Sequence, residues 1–280
     1  MLVYLNGRMV PGDKARVSPF DAGFLLGAGV FETMRARGGK VFRIQAHLER
    51  LDRGCRQLEI APVPEPARLR AAVAATLRAN GLTEARVRLT VTAGEEAPWG
   101  ENAAFPTVVV TAFPLPARTV PSRAWTAGTC SRPVFSGDPL LGIKTTSRAG
   151  HYLARREARD GGYDEALLVN ERGVYTEGSI TNLFAVAGNV LVTPPVTDGL
   201  LPGVTREAVC ALAAGLGFEV RERSLGRMEL DTAAEVFLTN AVAGPVPVVA
   251  LDGTAGGGGV PGPATGLLQE AYARLETSGD

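Results

Sequence analysis

The chain has 280 residues, 45% apolar and 21% charged, the balance of a soluble globular protein with room for one large or two ordinary domains, not of a disordered or fibrous chain. Lys plus Arg and Asp plus Glu both total 29, so no cationic excess exists to hold nucleic-acid phosphates or anionic lipid, and neither is an expected partner. Cys55, Cys130 and Cys210 form no CxxC pair, the N-terminus lacks a signal-peptide pattern and no segment reaches the roughly 20 apolar residues of a membrane span, so a cytoplasmic setting is expected.

In chain order, "LVYLNGRMV" sets Asn6-Gly7 between two β-prone runs. Both central positions of a tight hairpin turn need positive φ, so this reads as an opening hairpin. "QAHLERLDRGCRQL", residues 45–58, puts Leu48, Leu51, Cys55 and Leu58 at helical spacing, and "PEPARLRAAVAATLRANG" repeats the pattern with a Pro entry and a Gly exit. "ARVRLTVTAG" and "FPTVVVTAF" read as strands. "PLPARTVP" then carries three prolines in eight residues, which suits an extended connector. The expected organisation is a small α+β domain over 1–115, a linker over 116–122, and a larger domain over 123–280.

That larger part opens with a helix in "SRAGHYLARREARDGG". Strands follow in "DEALLVN", "GVYTEG", "NLFAVAG" and "NVLVTP", then a helix in "TREAVCALAAGLG". Further strands in "FEVRERSL", "EVFLTN" and "PVPVVALDG" lead to a terminal helix in "ATGLLQEAYARLE". "GTAGGGGVPGPATG", residues 253–266, is the one low-complexity loop.

Four places invite chemistry. Lys144 ends the apolar run "DPLLGI" and precedes the small polar "TTS". A lysine there ordinarily snorkels its ammonium into water; in a partly dry cleft, desolvation would expose a nucleophilic amine suited to Schiff-base chemistry. Glu177, in "GVYTEGSITNLF", reads either as a solvated turn residue or as a carboxylate that holds a proton on a cofactor ring nitrogen. Pro202-Gly203 turns the chain into a helix beginning at Val204 and Thr205, an ordinary cap or an anion site. Arg50, in "HLERLDR", is a solvated helix residue or the cation that a phosphate needs.

His47 and His151 lie about a hundred residues apart without Cys or carboxylate at ligand spacing, so no metal site is expected. The chain has no GxSxG, no GxxxxGK[ST] and no GxGxxG at a strand-to-helix turn, so hydrolase, P-loop and Rossmann readings lack their residues.

Taken in this order, the four elements resemble the fold-type IV pyridoxal-phosphate enzymes, the class IV aminotransferase family. The resemblance runs from "VSPFDAGFLLGAGVFETMRA" through "FRIQAHLERL", "GIKTTS", "DEALLVNERGVYTEGSITNLF" and "GLLPGVTREAV" to "EVFLTNAVAGPVPV" and "PGPAT", nearly the whole chain. It implies an α+β, two-domain fold, a small α/β sandwich domain plus a larger pseudo-barrel domain that carries the Schiff-base lysine, assembled as a homodimer. It implies that Lys144 carries pyridoxal 5′-phosphate and shuttles a proton between the substrate α-carbon and C4′, with Glu177 on the pyridine nitrogen. Arg50, the Val204 and Thr205 amides and the Thr205 hydroxyl would hold the phosphate, and Thr239, Asn240 and Ala241 would close that side. Ala241 stands where familiar aminotransferases often have threonine.

Two branches share this pattern. The leading expectation is a transaminase that moves an amino group between an amino acid or amine and a 2-oxo acid. The alternative is 4-amino-4-deoxychorismate lyase, which releases pyruvate and 4-aminobenzoate. Thr33 in "GVFETMR", "KTTSR" and "TNAVAGPVPV" are nearer the lyases, whereas "TAGEEAPWG" lacks their loop arginines. Phe31, Thr33, Arg35 and Arg88 match positions that border the substrate, although either arginine can equally be a strand residue with its stem packed down.

Overall fold

The computed structural model describes residues 1–95, 105–117, 123–255 and 259–278. The linker residues 118–122, residues 96–102 of the loop after the strand in "ARVRLTVTAG", and residues 256–258 of the glycine-rich loop therefore lie outside the described residues. Within them the chain forms two units: Met1–Ala117 together with Ile143–Ser147, and the remainder. Lys144 thus groups with the first unit, although sequence alone assigns it to the second domain.

The first unit is an antiparallel sheet with two helices on one face. The hairpin β1 (Leu2–Leu5) and β2 (Arg8–Pro11) turns at Asn6 and Gly7, both at positive φ, 46° and 91°, as the Asn-Gly pair dictates. Then come a short helix α1 (Ala22–Leu25), the long strand β3 (Gly29–Arg37), β4 (Lys40–Val41), helices α2 (Ile44–Gln57) and α3 (Pro66–Ala79), and strands β5 (Ala85–Thr92) and β6 (Thr107–Pro114). The strand order is β2-β1-β6-β5-β3-β4. Because side chains alternate across a strand, Val30, Met34 and Ala36 of β3 and Val87, Leu89 and Val91 of β5 face the helices. They join Leu48, Leu51 and Cys55 of α2 and Leu69, Val73 and Leu77 of α3 in one core. Phe31, Thr33 and Arg35 take the other face.

The second unit begins with β7 (Trp125–Thr129), α4 (Ala149–Asp160), β8 (Glu165–Val169), β9 (Tyr175–Gly178), β10 (Asn182–Ala187) and β11 (Val190–Thr193). It continues with α5 (Val204–Gly215), β12 (Glu219–Glu222), α6 (Arg227–Thr232), β13 (Glu235–Asn240), β14 (Gly244–Leu251), β15 (Thr254–Ala255) and α7 (Pro263–Ser278). The sheet runs β12-β11-β10-β13-β14-β7-β8-β9, and β9 also pairs with β10, which closes β10, β13, β14, β7, β8 and β9 into a ring, the pseudo-barrel. Ala127, Leu167, Leu183, Leu238 and Val248 point into its core.

Candidate active site

In the first unit, Lys144 lies on a segment added beside β3. Phe31 N–H donates to the Lys144 carbonyl at 2.8 Å and Thr146 N–H to the Gly29 carbonyl at 2.8 Å, so Val30 and Thr145 form an antiparallel bridge. This pairing is why the segment clusters with the first unit. Lys144 is half-buried, with Nζ 4.8 Å from the centroid of the Phe31 ring, and the Arg88 guanidinium carbon sits 3.7 Å from the same centroid. Thr33 and Arg88 are cross-strand partners in the β3–β5 pair, so of the four residues expected to border the substrate, Phe31, Thr33 and Arg88 lie near Lys144.

Arg35 has a different setting. Its side chain is 6% exposed, and Nη2 donates to Glu84 at 3.0 Å and to the Pro116 carbonyl at 2.7 Å. These bonds tie the far end of β3 to the residue before β5 and to the segment that leaves β6.

Arg50 points inward from α2 and makes a bidentate pair with Glu32 of β3, Nε to Oε1 and Nη2 to Oε2, each 2.7 Å. His47, one turn earlier on the same helix, donates Nδ1–H to Glu32 Oε2 at 2.7 Å. Burial alone would raise the Glu32 carboxyl, but the Arg50 and His47 charges and hydrogen bonds hold it down at about 2. His47 is pushed below its ordinary value, by burial first, against the pull of Glu32, and with the Arg50 and Lys144 charges adding to the push. Because an ionised carboxylate only accepts, the proton in the His47–Glu32 bond sits on Nδ1. The sequence reading found Arg50 and missed the acid that aims it; an i, i+3 His-Arg pair on a helix with a lone Glu in an apolar strand was the available signal.

In the second unit, the motif Glu-Gly-x-x-x-Asn closes on itself. Glu177 and Asn182 are opposite one another where β9 meets β10. Glu177 is 4% exposed, and its Oε2 accepts from Leu201 N–H at 3.0 Å and Asn182 Nδ2 at 3.4 Å. Asn182 also donates to the Leu201 carbonyl at 2.9 Å. His151 Nε2 lies 3.4 Å from Glu177 Oε1 and 2.7 Å from Arg148 Nη1. Arginine can only donate, so that imidazole nitrogen accepts from Arg148.

Behind this turn sits an acid that sequence reasoning passed over. Glu165, completely buried at the head of β8, accepts from Ser179 Oγ, from Thr181 Oγ1 at 3.2 Å and from Ala166 N–H at 2.9 Å. Burial pushes its carboxyl up, opposed by those bonds and by Arg155. It fixes the Ser179–Thr181 bend that follows Glu177. The strand in "DEALLVN" was read for its apolar residues, and the charge at its start carried no period.

Helix α5 opens at Val204 from Gly203, a cap with no side chain to bond the first-turn N–H groups. A Cβ at Gly203 would lie 1.9 Å from Asn182 Oδ1, so the close approach needs glycine. Val204 and Thr205 are buried, and Thr205 Oγ1 is 3.3 Å from Tyr272 Oη. Thr239, cross-strand from Asn182 in the β10–β13 pair, is 1% exposed, and its Oγ1 has no hydrogen-bond partner among the described residues. Asn240 Oδ1 accepts from Val242 N–H at 3.0 Å and Ala243 N–H at 2.8 Å, which shapes the turn from β13 to β14 where Ala241 sits half-buried. An orphaned buried hydroxyl, a glycine-capped helix start and Glu177 in one unit fit the donor set that a phosphorylated pyridine requires. Among the described residues no cluster of His, Cys, Asp and Glu could hold a metal, and no helix is long and apolar enough to cross a membrane.

The pattern of the family Amino-transferase class IV matches residues 29–251. A Methanocaldococcus jannaschii protein, named provisionally as a branched-chain-amino-acid aminotransferase, is 36% identical over 281 residues, covering 99% of this chain and 97% of that one. The crystal structure of Escherichia coli branched-chain amino acid aminotransferase superposes with a TM-score of 0.91 at 31% identity, over 99% of this chain and 95% of that chain. The structure of the T.th. branched-chain amino acid aminotransferase with pyridoxamine 5′-phosphate gives a TM-score of 0.91 at 28% identity, over 99% and 94%.

Proposed function

The chain belongs to the class IV aminotransferase family, whose members are pyridoxal-phosphate enzymes, and from that premise we propose that it transfers the amino group of an aliphatic, branched-chain-type amino acid to a 2-oxo acid with pyridoxal 5′-phosphate held by its own residues. The observation that supports this most directly is the Lys144 amine, beside Phe31 on a half-buried residue, in a chain whose relatives are named for that substrate class. When bound, the cofactor supplies the electron sink and the carbon that receives the amino group.

The chain's residues divide the remaining work. Lys144 Nζ would hold the cofactor covalently until the substrate amine displaces it, and the freed amine would then take the proton from the substrate α-carbon. Glu177 keeps a proton on the ring nitrogen, which requires a carboxylate that is itself held in place. In the second unit the Val204 and Thr205 amides and the Thr205 and Thr239 hydroxyls would bind the phosphate, with Asn240 and Ala241 shaping the turn beside them, and in the first unit Arg50 is the candidate cation for it. Phe31, Thr33 and Arg88 border the substrate; the Arg88 guanidinium, stacked on Phe31, keeps its N–H edge available to a carboxylate.

We assign the working form to a homodimer in the cytoplasm. Phe20, Phe24, Leu25 and Leu26 are 65%, 74%, 59% and 71% exposed around α1, and a contiguous apolar surface of that kind is ordinarily covered by another chain. A second copy is the occupant proposed.

The test is a panel of half-reactions. Holoenzyme mixed singly with L-leucine, L-valine, L-isoleucine, L-glutamate, D-alanine and an (R)-amine should pass to the pyridoxamine form with the branched-chain L-amino acids fastest. No conversion with any of them, accompanied by pyruvate release from 4-amino-4-deoxychorismate, would replace this reading with the lyase.

A further inference from the structure

We propose that Thr146 is a positioning residue for Lys144, holding the lysine's backbone onto β3 through the carbonyl of Gly27. The inference rests on the proposed function, since it concerns how Lys144 is presented for its covalent link to the cofactor. All residues involved belong to the first unit.

Lys144 precedes three hydroxyl residues in a row, and all three turn toward one carbonyl. Thr146 Oγ1 lies 2.7 Å from Gly27 O, Ser147 Oγ 3.2 Å and Thr145 Oγ1 3.5 Å. Thr146 Oγ1 is also 3.2 Å from Gly29 O. A hydroxyl has one proton to donate, and both carbonyls already accept a backbone N–H, Gly27 O from Gly29 at 2.9 Å and Gly29 O from Thr146 at 2.8 Å, so the shorter contact, to Gly27, is the bond that the Thr146 hydroxyl makes. One residue thereby grips β3's entry twice, by its amide at Gly29 and by its side chain at Gly27.

The receiving segment is shaped for this grip. Gly27 has φ +71°, and a Cβ there would come within 2.1 Å of Ser147 Oγ. A Cβ at Gly29 would lie 3.0 Å from the Val91 carbonyl and 3.1 Å from Thr146 Oγ1. Glycine at both positions lets the hydroxyls approach the backbone. "GAG" at 27–29 and "KTTS" at 144–147 are therefore two halves of one clamp.

The clamp acts on the lysine through the backbone. The bond between Phe31 N–H and Lys144 O and the Thr146 bonds flank Thr145 on either side, so the Lys144 Cα cannot shift along β3 without breaking them. Its amine is thereby kept beside the Phe31 ring. Loss of the hydroxyl removes one of these tethers and leaves side-chain chemistry at Lys144 intact, which makes the effect one of placement and not of reactivity.

The experiment separates the two by ligand. Apoenzyme of the parent chain, Thr146→Val, Thr146→Ala and Thr146→Ser is titrated calorimetrically with pyridoxal phosphate and, separately, with pyridoxamine phosphate, whose amine cannot form the link to Lys144. Circular dichroism confirms that each is folded. Thr146→Val should bind pyridoxal phosphate about fivefold more weakly, the loss of one ordinary hydrogen bond, and pyridoxamine phosphate unchanged. Thr146→Ala should behave in the same way if the valine does not fit, and Thr146→Ser should restore parental binding. Equal pyridoxal phosphate affinity in parent and hydroxyl-free variants, or equal weakening for both ligands, overturns the positioning role. A parent chain that binds neither ligand overturns the proposed function, and this inference with it.

Discussion

Glu177 and Leu201 meet through a hydrogen bond from the Leu201 amide to Glu177 Oε2 at 3.0 Å, while Asn182 reaches both residues. The acid is thus held by the backbone of the loop that leads into α5. The same loop is anchored upstream, where Asn170 Nδ2 donates to the Asp198 carbonyl at 3.0 Å and Arg172 Nη2 pairs with Asp198 Oδ1 at 2.6 Å. Glu177→Gln keeps the shape and loses the charge. We expect kcat to fall on the order of 100-fold, the scale seen when one preorganised electrostatic partner is removed, with the cofactor still bound. Steady-state kinetics on the reconstituted variant checks this; a fall in affinity alone, at parental kcat, would place Glu177 outside the chemistry.

Arg35 should behave as a structural residue. Its guanidinium is buried, while its acceptors, Glu84 and the Pro116 carbonyl, are partly open to water, and Arg35→Met removes the donor from both. The expected loss is roughly 1–3 kcal/mol of unfolding free energy, read from denaturant titration, with KM for the amino donor unchanged. A raised KM at parental stability would return Arg35 to the substrate-binding group.

The Glu32 cluster sets an acid limit. A carboxyl held at about 2 when folded, against an ordinary value of 4.5, contributes its stabilisation in full above the ordinary value and loses it as pH falls toward 2. The contribution at neutral pH is on the order of 3 kcal/mol. His47 adds to the trend. Its value is lowered from 6.5, so on acidification the unfolded chain takes up that proton first, and stability begins to fall below pH 6.5. Apoenzyme stability measured by denaturant should therefore drop through this range and more steeply below pH 4.5. Glu32→Gln should be less stable at pH 7 and show a shallower slope below pH 4.5; a slope equal to the parent's would remove Glu32 from the account.

Much of this was legible in the residues. Asn6-Gly7 carries its turn in its own backbone preferences, and α2 and α3 follow from apolar spacing and from Pro66 as the first residue of α3. Motif order brought Lys144, Glu177 and the Gly203 turn forward. Strand β3 was not among the predicted elements, because both its faces are buried and Glu32 and Arg35 interrupt any alternation of apolar and polar residues. The partners of Arg35 and Arg50, namely Glu84 and Glu32, come from other strands or the turns between them, and no local pattern announces a long-range ion pair. Linear order likewise placed Lys144 with the residues after the linker, because its backbone partners, Gly29 to Phe31, lie more than a hundred residues away. The orphan hydroxyl of Thr239 is a property of packing that no sequence pattern displays.

The central claim is that Lys144 is the residue that carries the cofactor. Borohydride reduction of the yellow holoenzyme, followed by peptide mass spectrometry, tests it most directly. The phosphopyridoxyl label should fall on Lys144, and Lys144→Ala should stay colourless and catalytically silent while still binding pyridoxamine phosphate. A label on another lysine, or a Lys144→Ala protein that keeps its colour and converts amino acids at the parental rate, would contradict it.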